Sequence, residues 1–240
     1  MRGMTTIKND PCYVFGLTLD GEGGARDVAE SADAHWLHID YSIDSAEHWL
    51  QNRGLDDWVV STLVRSDTRP RTVVTKTGVL IVLRAINLNP QSDPEDMVSL
   101  RIWLEADRII SVRQRRLFSV QDTKLELEQG MGATSVRDVM IRLVEKIGDR
   151  ISGFVDELEE QLESIEELVE TDPNAKIRSE ISNSRRKVAS VRRFLAPQRD
   201  ALESLYRHAT TSMETTEANV LREQADRIVR YVEDLDLLRE

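Results

Sequence analysis

Residues 149–172 read DRISGFVDELEEQLESIEELVETD, and residues 176–199 read KIRSEISNSRRKVASVRRFLAPQR. The first segment holds ten acids and one base, whereas the second holds one acid and eight bases. Apolar residues recur every three or four positions through both segments, which is the spacing of one helix face. Pro173 and Asn174 interrupt this period between them. The pattern predicts an antiparallel hairpin of two long helices with acids set against bases. The alternative is two separate, solvated charged faces.

A third long helix is predicted after this hairpin. Thr215 or Thr216 is a suitable N-cap, and apolar residues follow on one helix face as far as Leu235. The apolar period continues to the last residues without a glycine or proline stop, as expected of a chain cut inside a longer helix. Within the second long helix, Pro197 is expected to cause a bend because proline removes one backbone donor.

The first half of the sequence predicts strands instead. About six runs have strand character, namely residues 13–19, 36–41, 71–75, 79–86, 98–104 and 108–112. Short helices are expected near residues 44–50 and 55–63. Several connections are too short for crossovers, so the strands they join are expected to pair antiparallel. The predicted fold class is α+β, with a mixed, largely antiparallel sheet and flanking helices in an αβα sandwich-like arrangement, followed by three long helices.

The composition of the chain argues against several classes of function. The 240 residues carry a formal net charge of −11, which argues against a nucleic-acid partner and against docking on anionic lipid through a basic patch. The longest purely apolar run, residues 79–83, is too short to span a membrane, and no apolar signal core opens the chain. A single cysteine, Cys12, excludes an intramolecular disulfide and fits a reducing compartment.

The motifs of common enzymes are missing from the sequence. The glycines of residues 21–24 lack the lysine and helix start of a phosphate-binding loop, and no nucleophile elbow or zinc-protease helix motif occurs. We therefore predict that the chain is not an enzyme and holds no cofactor. His38 and Asp40 share one face of a predicted strand and are candidate metal ligands. A structural role in the strand is the alternative for this pair.

Three segments resemble the cytoplasmic part of the CorA superfamily of divalent-cation transporters. They are WLHIDY at 36–41, TRPR at 68–71 and FLAPQRDALESLYR at 194–207, of which the last matches in both content and spacing. The sequence APQRD within the last segment and the sequence ISVRQRR at 110–116 are more similar to the zinc-transporting ZntB branch than to the magnesium branch. The positions that carry the family motifs are Arg69, Pro70, Arg71, Pro197, Arg199, Tyr206 and Arg207.

The resemblance implies a pentamer in which a stalk helix runs into membrane spans that this sequence lacks. The chain would divide into an α/β cytoplasmic domain (10–130), a long helical hairpin (131–213) and the start of the stalk helix (214–240). It would act as the regulatory, assembly and cation-funnel domain of a membrane divalent-cation transporter, with zinc as the expected transported ion. Its expected place is the cytoplasmic face of the inner membrane. The alternative is a soluble, non-transporting scaffold or adaptor whose hairpin binds partner helices.

The resemblance also implies a cation site at the start of the stalk helix. In magnesium-type members an acid there faces a second carboxylate from a neighbouring subunit. Carried over, Glu223 is that first acid, Asp226 lies one turn later, and the partner position falls at Asn89, an amide. A hard dication gains little from one carboxylate and one neutral oxygen, and zinc prefers nitrogen and sulfur ligands. The site is therefore expected to be weak or lost, with solvated helix acids as the alternative reading.

Overall fold

A computed structural model of the chain describes residues 10–28, 34–66, 68–171 and 175–238. Within these ranges the strands are β1 (Tyr13–Leu19), β2 (Ala25–Asp27), β3 (Trp36–Asp40), β4 (Arg71–Val74), β5 (Val79–Ala85), β6 (Val98–Leu104) and β7 (Ile109–Arg113). The helices are α1 (Ala46–Gln51), α2 (Asp57–Val64), α3 (Phe118–Glu128), α4 (Val136–Thr171), α5 (Ala175–Ser212) and α6 (Thr215–Leu237).

The strands form one mixed sheet in the order β2-β1-β3-β7-β6-β5-β4. Its single parallel pair is β3 with β7, and the other neighbours in the described sheet run antiparallel. The parallel pair is possible because the chain makes a long excursion through α1, α2 and three strands between β3 and β7, whereas the antiparallel pairs follow from short connections. The predicted mixed, largely antiparallel sheet is confirmed.

Helices cover both faces of the sheet. Ile81 and Ile102 point into a core shared with α4, α5 and α6, whereas Leu80 and Trp103, one position along, point into a second core beneath α1 and α2. Because both faces are covered, β5 and β6 are apolar almost throughout rather than alternating. The αβα sandwich-like layering is therefore confirmed.

The two long charged segments form helices α4 and α5, with the residues between them, 172–174, lying outside the described ranges. Only three residues separate these helices, which pack on each other, so they run antiparallel. Their opposite charges line a large cavity of about 1070 Å³, with Glu157 and Glu160 on α4 and Arg186 and Lys187 on α5. The acids of α4 therefore face the bases of α5, as expected, and they do so across this cavity.

Helix α6 joins the other two long helices at the polar rim of their core. Arg192 of α5 donates from Nη2 to Asp236 of α6 at 2.9 Å, and Arg227 of α6 donates to Asp149 of α4 at 2.8 Å. At Gly148 a Cβ atom would lie 2.4 Å from Gln224 Oε1, so a residue without a side chain lets α4 and α6 approach closely. The three helices therefore form one packed unit.

Two further expectations concern these helices. Pro197 lies inside α5, which continues for fifteen residues beyond it to Ser212, and the bend it should impose stays a prediction. The three-domain division also stays a prediction. In the described part of the chain, no helix combines the length and apolarity that crossing a membrane requires.

Candidate functional site

Two of the three motif segments meet at one edge of the sheet. Strand β4, which follows Arg69 and the buried Pro70, packs against α5, and Thr72 Oγ1 donates to the carbonyl of Ala201 at 2.8 Å. On the neighbouring strand, the backbone N–H of Arg84 donates to Oε1 of the buried Gln198 at 2.6 Å. These contacts fasten the long helix to the edge of the sheet.

The remaining motif positions on α5 differ in their surroundings. Arg199 donates to its neighbour Asp200 at 2.9 Å, and Arg207 lies 3.9 Å from Glu203 in an exposed ion pair. Tyr206 is half-buried and packs against the core, and Arg71 is half-buried in β4. The junction contacts are thus made by neighbours of these positions, Thr72, Gln198 and Ala201, whereas Arg199 and Arg207 form ion pairs within α5.

Two arginines lie against one aromatic ring at the same junction. The guanidinium carbons of Arg84 and Arg193 each lie 4.6 Å from the ring centre of Phe194, the first residue of the third motif segment. Arg84 also donates to the carbonyls of Met97 and Thr68. Sequence spacing gave no signal for this arrangement, because Arg84 and Phe194 are more than 100 residues apart.

His38 is buried in the middle of the sheet with partners of its own. Its Nδ1 is 2.7 Å from Ser111 Oγ, which also accepts from Trp36 Nε1 at 2.8 Å. The ring stacks on Phe15 with centroids 5.0 Å apart. Burial first, and then the charge of Arg113, lower the pKa of His38 to about 3, so the imidazole is neutral at pH 7.

Asp40, the other half of the candidate metal pair, is engaged elsewhere. Its Oδ1 accepts from the hydroxyl of Ser42 at 2.6 Å, and its Oδ2 lies 3.8 Å from Arg113 Nε. An arginine beside both His38 and Asp40 opposes a bound dication, so the geometry favours the structural role for the pair. Within the described ranges, no group of three or more His, Cys, Asp or Glu side chains is placed to hold a metal ion.

Glu223 and Asp226 lie on the exposed side of α6. Asp226 is 3.9 Å from Arg222 in an exposed ion pair, which matches the reading of a solvated helix acid. The side-chain amide of Asn89 donates to Asn87 Oδ1 at 2.8 Å and to the carbonyl of Arg116 at 3.0 Å. The amide nitrogen of Asn89 is thus engaged within its own surroundings. That a site shared between subunits is weak or lost here stays a prediction.

Acids of α4 and α6 lie near enough to influence one another, an arrangement that sequence reasoning did not identify. The pKa of Glu145 is raised, chiefly by burial and further by Asp149, Asp138 and Glu223, although Arg142 opposes the shift. Helix periodicity marks Glu145 as the neighbour of the apolar stripe, but only the packing of α6 on α4 brings Glu223 towards it.

A second group lies further along the same two helices. The pKa of Glu159 is raised, again chiefly by burial, with Asp234 of α6 and then Asp156 and Glu163 adding to the shift. We call Glu145, Glu159, Glu223 and Asp234 the acidic seam. Its acids repel one another, and cations from solution relieve that repulsion.

The site thus consists of a mixed sheet covered by long helices, with acids where α4 packs against α6. Residues 31–240 match the family described as CorA-like Mg²⁺ transporter protein. The chain belongs to this family, and the resemblance inferred from its motifs is confirmed.

The chain is similar to two named relatives over most of its length. The divalent cation transporter CmaX of Pseudomonas aeruginosa is 35% identical over 239 residues, which cover 95% of this chain and 72% of CmaX. The zinc transport protein ZntB of Pectobacterium carotovorum is 31% identical over 229 residues, covering 93% of this chain and 70% of ZntB.

Solved structures agree with the fold. Full-length CmaX superposes with a TM-score of 0.88 at 34% identity, covering 96% of this chain and 74% of that chain. The ZntB cytoplasmic domain of Vibrio parahaemolyticus superposes with a TM-score of 0.82 at 20% identity, covering 95% and 92%. The second likeness concerns the fold alone. It shows that a cytoplasmic domain of ZntB type has this same architecture.

Proposed function

We propose that this chain is the cytoplasmic, regulatory and assembly domain of a membrane divalent-cation transporter, with zinc as the transported ion. The observation that carries the proposal is the match to full-length CmaX over 96% of this chain, while about a quarter of CmaX lies outside the match. The name of CmaX supports divalent cations, and the names of the ZntB relatives support zinc. Relatives named as transporters also favour a function without enzymatic chemistry.

The charge distribution supports a funnel for cations. The net charge of −11 is carried by one chain, and several copies around an axis would multiply the negative potential near the mouth of a pore. Within the acidic seam, Glu145 and Glu159 are half-buried, and the field of such carboxylates is screened less by salt than that of exposed acids. Such a field raises the local concentration of cations without a dedicated metal site.

The proposed partners follow from the same comparison. We infer a homo-pentamer in the whole transporter, attached to the inner membrane through segments beyond the matched region, with this domain at the cytoplasmic face. The apolar face of α6, with Leu221, Ile228 and Leu235, is buried against α4 and α5 within one chain. Assembly would therefore use other surfaces of α6 or the membrane segments.

The test is made with the product of the complete reading frame. That reading frame is expected to encode two apolar runs of about 20 residues each, long enough to cross a bilayer. Reconstituted into liposomes that enclose a zinc-sensitive dye, the product should admit Zn²⁺ faster than protein-free liposomes do. Magnesium uptake, followed with its own dye, is the matched comparison.

The outcomes separate the candidates. Uptake of Mg²⁺ but not Zn²⁺ would contradict the choice of zinc while leaving a cation transporter. A complete reading frame without apolar runs would contradict transport altogether. The remaining candidate would then be the non-transporting scaffold, whose basis is the wide space between the oppositely charged walls of α4 and α5.

A further inference from the structure

A cavity of about 230 Å³ lies at one end of the parallel pair β3 and β7. Tyr41, which follows the carboxyl end of β3, lines it together with Gln114 and Arg115, which follow the carboxyl end of β7. Ser99 of β6 and Phe194 of α5 complete this part of the lining. We call it the β3/β7 cavity. In open α/β sheets, ligands bind in the crevice outside the carboxyl ends of parallel strands.

The described lining of the β3/β7 cavity carries more positive than negative charge, in a chain whose net charge is −11. Arg84, Arg115 and Arg193 line the cavity, and Asp96 is the one acid among the lining residues that the structure describes. The local field therefore favours an anion, although the chain as a whole repels one.

Two of these arginines are accessible to a ligand. Arg115 and Arg193 are both exposed, and neither forms an ion pair with a carboxylate within the described ranges. The guanidinium carbon of Arg193 lies 4.6 Å from the centre of the Phe194 ring, a contact that uses none of its N–H donors. Both guanidinium groups therefore keep donors for an anion.

A further cation, Arg101, lies directly behind the lining. It is 0% exposed, and it donates from Nη2 to the hydroxyl of Tyr41 at 2.8 Å and from Nε to Ser99 Oγ at 3.4 Å. Burial chiefly lowers its pKa, Tyr41 opposes the shift, and Arg84 and Arg71 add to it. In the part of the chain that the structure describes, no carboxylate pairs with this guanidinium. An anion in the adjacent cavity would supply the missing opposite charge, and the interior screens that attraction little.

Neutral donors in the lining narrow the class of anion. Ser99 Oγ accepts from Arg101, and among the described residues its own O–H proton has no acceptor. Ser66, which is exposed, brings a second hydroxyl to the lining. Guanidinium and hydroxyl donors together match a phosphate group, which carries up to two negative charges and several acceptor oxygens. A chloride ion or a carboxylate would use fewer of these donors and balance less of the positive charge.

Size sets a limit on the ligand as well. One water molecule occupies about 30 Å³ of liquid, so the β3/β7 cavity holds a small polyatomic ion, or the end group of a larger molecule that extends into solvent.

We propose that the β3/β7 cavity binds a phosphate group, either the free ion or the terminal group of a small soluble phosphate ester. Arg115 and Arg193 donate charge-assisted hydrogen bonds to its oxygens, and the hydroxyls of Ser66 and Ser99 donate to the others. Arg101 acts through its charge from behind the lining. The site is separate from the cation function proposed above, so either can fail without the other.

The experiment is isothermal titration calorimetry of the 240-residue chain at neutral pH and low ionic strength, with inorganic phosphate and, separately, glycerol 3-phosphate. Binding should be saturable, with a Kd of about 1 mM or below. Arg115→Gln and Arg193→Gln should each weaken binding at least about tenfold, because a charge-assisted hydrogen bond is lost.

The matched control is Arg207→Gln. Arg207 lies on the same helix as Arg193, in an exposed ion pair with Glu203 outside the cavity lining. Its replacement removes the same charge and should leave the affinity within about twofold, as expected of a surface change away from the site. A tenfold loss in this control would show that net charge, and not the cavity, controls binding, and would overturn the proposal.

A further variant keeps the test decisive if Arg193→Gln does not fold. Ser66→Glu adds a carboxylate at an exposed lining position and should abolish binding without touching the core. Tighter binding of glycerol 3-phosphate identifies an ester as the ligand, tighter binding of inorganic phosphate identifies the free ion, and both results support the site. The proposal is overturned if neither probe binds saturably, if Arg115→Gln and Ser66→Glu bind as the parent chain does, or if chloride displaces inorganic phosphate as effectively as glycerol 3-phosphate does.

Discussion

Arg101 is a fully buried cation whose described hydrogen-bond partners are neutral groups. In β6, its guanidinium donates from Nη1 to the carbonyl of Leu63 at 2.6 Å and from Nη2 to the hydroxyl of Tyr41 at 2.8 Å. The guanidinium carbon lies 4.2 Å from the centre of the Tyr41 ring. Burial lowers the pKa of Arg101. One side chain thus ties the end of α2 and the segment after β3 to the middle of the sheet.

Replacing the planar guanidinium of Arg101 with the ammonium of lysine should destabilise the fold. We expect Arg101→Lys to lower the free energy of unfolding by about 2 kcal/mol, because an ammonium cannot reach all three acceptors, Ser99, Leu63 and Tyr41, so at least one loses its donor. Denaturant unfolding followed by circular dichroism measures this. Arg115→Lys, at an exposed position, is the control and should change little. Equal losses in the two variants would contradict the argument.

Acid should destabilise the fold through His38. Its pKa is about 3 in the fold, below the usual value of 6.5, so the unfolded chain binds more protons between these values. Stability is then complete above pH 6.5 and falls as the pH drops towards 3. Between about pH 7.5 and 5.5 the parent chain should lose about 1.4 kcal/mol more than His38→Gln. Parallel curves for the two proteins would show that His38 is not buried in its neutral form.

At the scale of elements, Gly78 sets the turn between β4 and β5. Thr75 caps this turn, since its Oγ1 accepts from the Gly78 N–H at 3.1 Å and donates to the Gly78 carbonyl at 2.8 Å. A Cβ atom at Gly78 would lie 2.6 Å from the carbonyl oxygen of Leu104 and 2.7 Å from the Trp103 ring. The hairpin therefore reaches β6 only because this position has no side chain.

Two glycine substitutions separate crowding from helix propensity. Gly78→Ala should lower the free energy of unfolding by about 1–3 kcal/mol, because neither a strand carbonyl nor a packed tryptophan can move away. Gly153→Ala, in an exposed part of α4 with nothing near its Cβ position, should raise it by up to about 1 kcal/mol. Thermal unfolding of both variants makes the comparison. A stabilised Gly78→Ala protein would contradict the crowding.

Regular elements with a strong apolar period were predictable from the sequence. The six predicted strands and the long helices all occur, with boundaries within a residue or two for the strands. Strand β2 was missed because its three residues, ARD, have no apolar pattern and depend on pairing with β1. Helix α3 was missed because it buries Ser119 and Thr123 along with Val120 and Leu127, so its buried face is not an apolar stripe.

The candidate site was less predictable for a physical reason. His38 gained a partner, Ser111, that lies 73 residues away, and Glu223 gained its acidic neighbour from a different helix. Such contacts depend on strand order and helix packing, which local spacing does not encode. The motif segments, by contrast, could be identified because each is continuous in the sequence.

At the scale of the whole molecule, part of the negative charge lies where helices pack against each other, and the rest lies on the exposed surface. The chain holds its acidic seam with half-buried carboxylates on α4 beside acids of α6, and Arg227 bridges from α6 to Asp149 at 2.8 Å. Folding therefore brings like charges together, and the fold is stable because the apolar core of the three helices outweighs their repulsion.

This arrangement predicts that cations stabilise the chain through the seam. The raised pKa values of Glu145 and Glu159 mean that these two carboxylates bind protons more readily in the folded than in the unfolded chain, so they destabilise the fold at neutral pH and less so as the pH falls. Added Mg²⁺ at low ionic strength should raise the melting temperature by reducing the repulsion. The double variant Glu145→Gln, Glu159→Gln should melt at a higher temperature without Mg²⁺, and added Mg²⁺ should raise its melting temperature less.

The control is the double variant Glu22→Gln, Glu47→Gln, which removes two exposed acids from the first part of the chain and changes the net charge equally. If both double variants gain equally from Mg²⁺, the effect comes from net charge alone, and the seam has no special part in it.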